Sequence, residues 1–324
     1  MNPNSNQYTR YPLGTTELKF SPIGLGTWQF SQGKGMIGKF WPTLSSTSIH
    51  DIVHTALDSG INWFDTAQAY GGGQSERALS DALNALNISP PDAFIATKWW
   101  PVLRSSRSLE ATITHRLKQL RGWPITLYQI HQPYSRSTIA LQMKSMAILL
   151  DQGFIQCAGV SNFSAAQMTE AYKALRAHGH SLVSNQVRYN LLDRRVENND
   201  ILLAAEDLGI TIIAYSPLAQ GILTGKFHGG LAKPRGFRKW DPRFRTAQLD
   251  QSAHIIRLLH TLGEKYQVGP AEVALNWLIG HPSQRVMAIP GATSTTQALQ
   301  NAHAMQWTLS SSDRSALDHT SISA

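Results

Sequence analysis

Apolar residues fall into short unbroken runs that alternate with longer stretches of helical spacing. Ile61 to Phe64 is one such run, short and continuous as a strand buried on both faces requires. It ends at Asp65; Tyr70 and the break Gly71 to Gly73 follow, and Ser75-Glu76 opens the helical pattern Arg77-Ala-Leu-Ser-Asp-Ala-Leu83. The unit then recurs. Phe94 to Lys98 reads as a strand and Leu109 to Leu120 as a helix; Thr126 to His131 as a strand and Thr138 to Asp151 as a helix. Cys157 to Val160, Leu182 to Gln186 and Ile210 to Tyr215 continue the strands, with helices over Ala165 to Ala177 and Ile201 to Leu208. A long irregular segment precedes helical patterns over Ser252 to Tyr266 and Ala271 to Leu278, and Val286 to Ile289 and Ser294 to Ala302 form the last strand and helix.

Upstream, Tyr8 to Phe20 carries two strand-like pieces around Leu13-Gly-Thr-Thr16, a hairpin pattern. Pro22 to Trp28 is the first buried strand, Gln29 to Pro42 an aperiodic loop, and Ser48 to Ser59 a helix stopped by Gly60. Counted from Ile23 there are eight strands, each followed by a helix. Runs apolar on both faces and alternating with helices imply a parallel sheet. Eight such units in 324 residues predict a closed (β/α)₈ TIM barrel occupying the whole chain as one domain, with an N-terminal hairpin and a long loop after strand 7. A doubly wound sheet is the alternative, weakened because no Gly-x-Gly-x-x-Gly turn follows the first strand. Hydrophobic residues make up 42% and charged residues 15%, a balance that favours a large core over disorder.

On this register Asp65, Lys98 and His131 end consecutive strands, and Tyr70 lies just past the first of them, so all four share the barrel rim where such folds place their chemistry. Singly, each has a structural explanation: an ion pair, a polar strand cap, a packing tyrosine. Together they make a proton-delivery set. A free phenol has a pKa of roughly 10, and a neighbouring cation is expected to lower it. Lys98 supplies the cation, Asp65 holds it, and neutral His131 orients a carbonyl oxygen beside Tyr70. None of the four is a hydride source, so a nicotinamide is required.

These residues resemble those of the aldo-keto reductases. The motifs are Gly24-Leu-Gly-Thr-Trp28, Phe64-Asp-Thr-Ala with Tyr70-Gly71 and Ser75-Glu76, Thr97-Lys98, Leu127-Tyr-Gln-Ile-His131, and Gly159-Val-Ser-Asn-Phe163. They continue with Asn185-Gln186 and Tyr189-Asn190, Ala214-Tyr-Ser-Pro-Leu218 with Gly221, and Ile289-Pro-Gly291 with Gln297 and Asn301. The resemblance implies NAD(P)H-dependent reduction of aldehydes or ketones, with Tyr70 as general acid and Asp65, Lys98 and His131 assisting. It places Ser161, Asn162 and Gln186 on the nicotinamide carboxamide and Tyr215 against the ring. Ser216, Leu218, Gln220 and Gly221 fall along the pyrophosphate, and Thr27, Trp28, Pro217 and Lys226 belong to the same cofactor-binding set. Gly291, Thr293, Gln297, Gln300 and Asn301 fall at the adenosine end. The pattern is closest to the branch containing potassium-channel β subunits and many bacterial and plant reductases, so the alternative function is a cofactor-binding regulatory subunit with slow chemistry. Two departures stand out. Thr126 replaces an Asp frequent in relatives, and Thr293-Ser-Thr-Thr296 lacks the Arg or Lys that often grips the 2′-phosphate of NADPH. NADPH is the expected cofactor, with NADH less favoured.

Lys233 to Arg245 is the one dense basic cluster in a chain of net charge +8. As a solvated loop it needs no partner; as a lid it offers Arg235 or Arg238 to the 2′-phosphate. A nucleic-acid surface is the less favoured third reading. Trp28, Trp99 and Trp100 follow strand ends and are expected to wall a substrate mouth for planar or hydrophobic carbonyl compounds, one of the adjacent pair packing under loops. No metal site is indicated. The single cysteine, Cys157, excludes an internal disulfide, and the polar Met1 to Arg10 lacks a signal-peptide core, so a cytoplasmic home without membrane partner is expected. The oligomeric state is left open between monomer and homo-oligomer.

Overall fold

Strands that are apolar on both faces have to be covered inside and outside, and here the sheet curls until its two ends meet. The structure, a computed structural model, describes residues 9–35, 40–230, 232–234, 236–283 and 285–322. Eight parallel strands follow one another in sequence order: β1 Leu25–Gly26, β2 Trp63–Asp65, β3 Phe94–Trp99, β4 Ile125–Ile130, β5 Ile155–Ser161, β6 Leu182–Arg188, β7 Thr211–Tyr215 and β8 Val286–Ala288. Gly24 N donates to Ala288 O at 2.9 Å and Gly26 N to Pro290 O at 3.0 Å, which sews β1 to β8 and closes the barrel. A Cβ on Gly26 would lie 2.9 Å from Ile289 O, so this seam needs a glycine to come together.

The helices cover the outside. Those of eight residues or more are, in order, α1 Ser46–Asp58, α2 Gln74–Ala85, α3 Arg107–Gln119, α4 Ile139–Asp151, α5 Ala165–Arg176, α6 Ile201–Leu208, α7 Thr246–Tyr266, α8 Pro270–Ile279, α9 Thr295–His303 and α10 Ser311–Ile322; a single turn, Arg195–Asn198, precedes α6. Ser45, Thr138, Ser164 and Ser294 cap α1, α4, α5 and α9 with side-chain oxygens, satisfying N–H groups that a helix start leaves free. The hairpin of Tyr11–Pro12 with Lys19–Phe20 is present. It contributes Leu13 and Phe20 to an apolar cluster with Trp63, Leu127, Val183 and Met287. No helix among the described residues is long and apolar enough to cross a membrane.

Two elements depart from the sequence expectation. α7 begins at Thr246 rather than Ser252, because Leu249 finds a buried position. α10 has no counterpart in the apolar pattern; Leu317 is its buried apolar anchor, and polar contacts supply the docking. Trp277 Nε1 donates to Asp318 Oδ1 at 2.8 Å and Arg194 Nη1 to Asp318 O at 2.7 Å.

Candidate active site

The C-terminal ends of the strands open into a cavity of about 660 Å³, lined among others by Asp65, Tyr70, Trp100 and His131 and by Thr293, Gln297, Gln300 and Asn301. Asp65 closes β2, Lys98 is the penultimate residue of β3, and His131 directly follows β4. Side chains alternate along a strand, so Lys98 points inward while Trp99 turns to the helix layer. Trp99 is therefore fully buried, with its indole donating to Ser108 Oγ at 3.1 Å. It does not line the cavity, and the expectation that it walls the substrate mouth is corrected; its neighbour Trp100 takes that place.

The charged pair at the centre is wholly enclosed. Lys98 Nζ meets Asp65 Oδ1 at 2.5 Å and Thr66 O at 2.9 Å. Asp65 Oδ2 accepts from Gln186 Nε2 at 2.8 Å and from Gln129 Nε2 at 3.4 Å. Lys98 Nζ lies 5.1 Å from the Tyr70 ring centroid. His131 stands edge-on to Tyr70, centroids 5.9 Å apart, and edge-on to Trp100 at 5.2 Å. Trp28 stacks beside Tyr70 at 6.1 Å and against Phe40 at 4.9 Å, with Trp41 edge-on at 5.8 Å. Phe40, Trp41, Trp28, Tyr70 and Trp100 thus form, with His131, one continuous run of touching rings.

The electrostatics correct one expectation. The Tyr70 phenol does not become more acidic: burial, then the charge of Asp65, then Tyr215, push its pKa well above the ordinary value. The cation expected to lower it has its charge balanced by Asp65, and desolvation of the phenolate dominates. Lys98 is itself lowered by burial, against the raising effect of Asp65. His131 is held well below the usual imidazole value by burial and then by Lys98, so its ring is neutral at physiological pH. Its buried Nδ1 has no hydrogen-bond partner among the described residues.

Beyond this centre the cavity continues as a groove. Asn162, at φ 62°, donates to His131 O at 3.2 Å and accepts the Tyr215 hydroxyl at 3.0 Å. Ser161 donates its hydroxyl to Gln186 O at 2.8 Å. After β7 the backbone turns through Ser216, Ala219, Gln220 and Gly221, all at positive φ, and Gly221 N donates to Leu218 O at 2.8 Å. Gln220 Oε1 and Arg238 Nε are buried beside this turn without hydrogen-bond partners among the described residues. Lys226 and Arg238 both line the groove, and neither has an ion-pair partner among the described residues. Burial lowers the proton affinity of each, and for Lys226 the neighbouring Arg238 adds to the effect. Two desolvated cations, one of them with an orphaned guanidinium N–H, beside a tight turn suit a phosphate-bearing nicotinamide cofactor. At the far end Thr293 N donates to Gln297 Oε1 at 2.8 Å.

All the cofactor residues expected from the resemblance line this cavity; Arg235, offered by the basic loop, lies outside the described residues. Trp41, Pro42, Arg188, Gln29 and Glu272 also line it without having been expected. Trp41 and Pro42 come from the aperiodic loop, where no spacing signals a role, and Glu272 Oε2 accepts the Gly269 backbone N–H at 2.8 Å at the start of α8.

A model of the aldo/keto reductase family matches residues 22–322. An uncharacterized oxidoreductase of Mycobacterium tuberculosis is 38% identical over 297 residues, 92% of this chain and 88% of that protein. The aldo-keto reductase YhdN of Bacillus subtilis is 30% identical over 318 residues, 93% and 90% of the two chains. Among solved structures, the glycerol dehydrogenase AKR11B4 of Gluconobacter oxydans superposes with a TM-score of 0.82 at 28% identity, covering 96% of this chain and 94% of that one. With its closed barrel, its rim of Asp65, Tyr70, Lys98 and His131, and a match over nearly its whole length, this chain belongs to the aldo/keto reductase family.

Proposed function

We propose that this protein reduces aldehydes or ketones to alcohols with NADPH, Tyr70 acting as general acid. The supporting observation is the convergence of a protonated phenol, a carboxylate and a neutral imidazole on the cavity wall, with the enclosed Lys98 ammonium paired to that carboxylate and 5.1 Å from the Tyr70 ring centroid. When bound, NADPH supplies the hydride from its nicotinamide. Ser161, Asn162 and Gln186 would hold the carboxamide, with Tyr215 against the ring. Lys226 and Arg238 would meet the phosphates, and Gln300 and Asn301 the adenosine.

The chain's own residues handle the proton. His131, being neutral, donates a hydrogen bond to the carbonyl oxygen and fixes it beside Tyr70. As the carbonyl carbon gains its hydride, the oxygen acquires alkoxide character and becomes a far stronger base than a phenolate. Tyr70 gives up its proton to that oxygen despite its raised pKa, which beforehand keeps the phenol protonated at neutral pH. The phenolate left behind faces the Lys98 ammonium, whose charge Asp65 maintains. Trp28, Trp41 and Trp100 exclude water and present flat apolar walls, which suits planar or hydrophobic carbonyl compounds.

The test is NADPH consumption with a reactive aromatic aldehyde, wild type beside Tyr70→Phe. Turnover in the wild type should fall by about 10²–10⁴-fold in the variant, with NADPH binding retained. Turnover that survives the substitution would remove Tyr70 from its role. No turnover in either protein, with NADPH bound, would move the protein to the regulatory class.

A further inference from the structure

Behind the strand that carries Lys98 lies a second charged cluster, which has no surface on the cavity. Glu76, in the first turn of α2, is fully buried. Thr97 donates its hydroxyl to Glu76 Oε1 at 2.7 Å, and Arg116 of α3 pairs with Oε2. Thr97 directly precedes Lys98 on β3, so it faces the helices while Lys98 faces the barrel interior. Ser75, one residue before Glu76, donates to Thr27 O at 2.6 Å and accepts from Thr66 Oγ1 at 3.0 Å. Its backbone N–H reaches Tyr70 O at 3.2 Å. Thr66 O is in turn the second acceptor of the Lys98 ammonium.

A buried carboxylate–guanidinium pair is a poor way to stabilise a fold, since apolar side chains of similar volume do as well or better. What this cluster adds is position and charge. Through Ser75 and Glu76 it ties the rear of the Tyr70 loop to the barrel wall, and it sets a second negative charge opposite Lys98 on the far side of β3.

We propose that Glu76 is a positioning residue for carbonyl reduction, its carboxylate anchoring the loop that bears Tyr70 and supporting the ammonium charge of Lys98 from behind. The inference rests on the proposed roles of Tyr70 and Lys98. The groups facing Glu76 are Arg116 from α3, Lys98 from β3 and Tyr128 from β4. Burial raises the Glu76 carboxyl to about 7, while Arg116, Thr97 and Lys98 hold it down. Reciprocally, Asp65 and then Glu76 raise the Lys98 ammonium against its desolvation. The Tyr128 hydroxyl is buried with no hydrogen-bond partner among the described residues, and burial and then the Glu76 charge push its pKa up.

Glu76→Gln removes the charge. Lys98 then holds its proton less firmly, so the alkaline limb of kcat should move to lower pH by about one unit, the scale a neighbouring charge imposes, with KM for NADPH unchanged. Thr97→Val keeps the Glu76–Arg116 pair and removes one anchor; it should lower kcat by about tenfold through a misplaced Tyr70, leaving the alkaline limb where it is. A folded Glu76→Gln protein with the wild-type limb overturns the proposal. Should that variant not fold, Thr97→Val with wild-type kcat overturns it instead. Wild-type protein that fails to turn over would sink the reductase reading itself; turnover that needs Tyr70 but ignores Glu76 sinks only this proposal.

Discussion

Lys98→Met probes the centre of the site most directly. Lys98 and Asp65 are both enclosed, with side chains 0% and 1% exposed, and they meet at 2.5 Å. The substitution leaves the carboxylate buried with only the amides of Gln186 and Gln129, at 2.8 and 3.4 Å. Orphaning one member of a buried ion pair costs about 3–5 kcal/mol. The two remaining amide donors put this case near the lower end, about 3 kcal/mol. Adding Asp65→Asn takes the orphaned charge away, so the double variant should return to within about 1–2 kcal/mol of wild type. Activity should behave differently: no variant that lacks the Lys98 ammonium can meet the Tyr70 phenolate, so turnover should stay depressed by about 10²-fold or more. Urea unfolding of the wild type, the two single variants and the double variant measures the coupling, and NADPH oxidation measures turnover. A double variant no more stable than Lys98→Met would refute the energetic argument. A double variant that regains turnover would refute the chemical one.

Other outcomes follow from the same geometry. The Glu76 carboxyl is raised from 4.5 to about 7 in the folded protein, so the folded state binds this proton more tightly than the unfolded chain. The stability this group contributes is therefore present below about pH 4.5 and is lost as pH rises to about 7; Glu76→Gln should flatten the stability profile across that window by chemical denaturation. Replacing both Lys226 and Arg238 with Ala should raise the Kd for NADPH by about tenfold or more relative to NADH, and equal losses for the two cofactors would exclude a 2′-phosphate grip. Burial pushes the Cys157 thiol up to about 11, so iodoacetamide should alkylate it at pH 8 only after unfolding; rapid alkylation of native protein would contradict its buried placement.

Much of the architecture was legible because strands buried on both faces announce themselves as unbroken apolar runs. Phe94–Trp99 and Leu182–Arg188 lie within a residue or two of their sequence readings, and Ile201–Leu208 coincides with its own. α10 was not legible. Its Ser and Asp residues carry no apolar stripe, and only the positions of Trp277 and Arg194 make a docking face for it. The same holds for Trp41, brought to the site by a loop whose course no local periodicity dictates.

What the sequence determined by itself was the order of strands and helices, and with it the gathering of Asp65, Tyr70, Lys98 and His131 at one rim, because strand ends in a barrel share one face. What only the tertiary structure decided was how those groups are charged and where neighbours point. The alternation at Lys98 and Trp99 sends one into the site and the other into the helix layer. Whether the Lys98 cation acidifies Tyr70 depends on the nearer Asp65 and on lost hydration, which are properties of distance and burial. A linear chain encodes neither until it is folded.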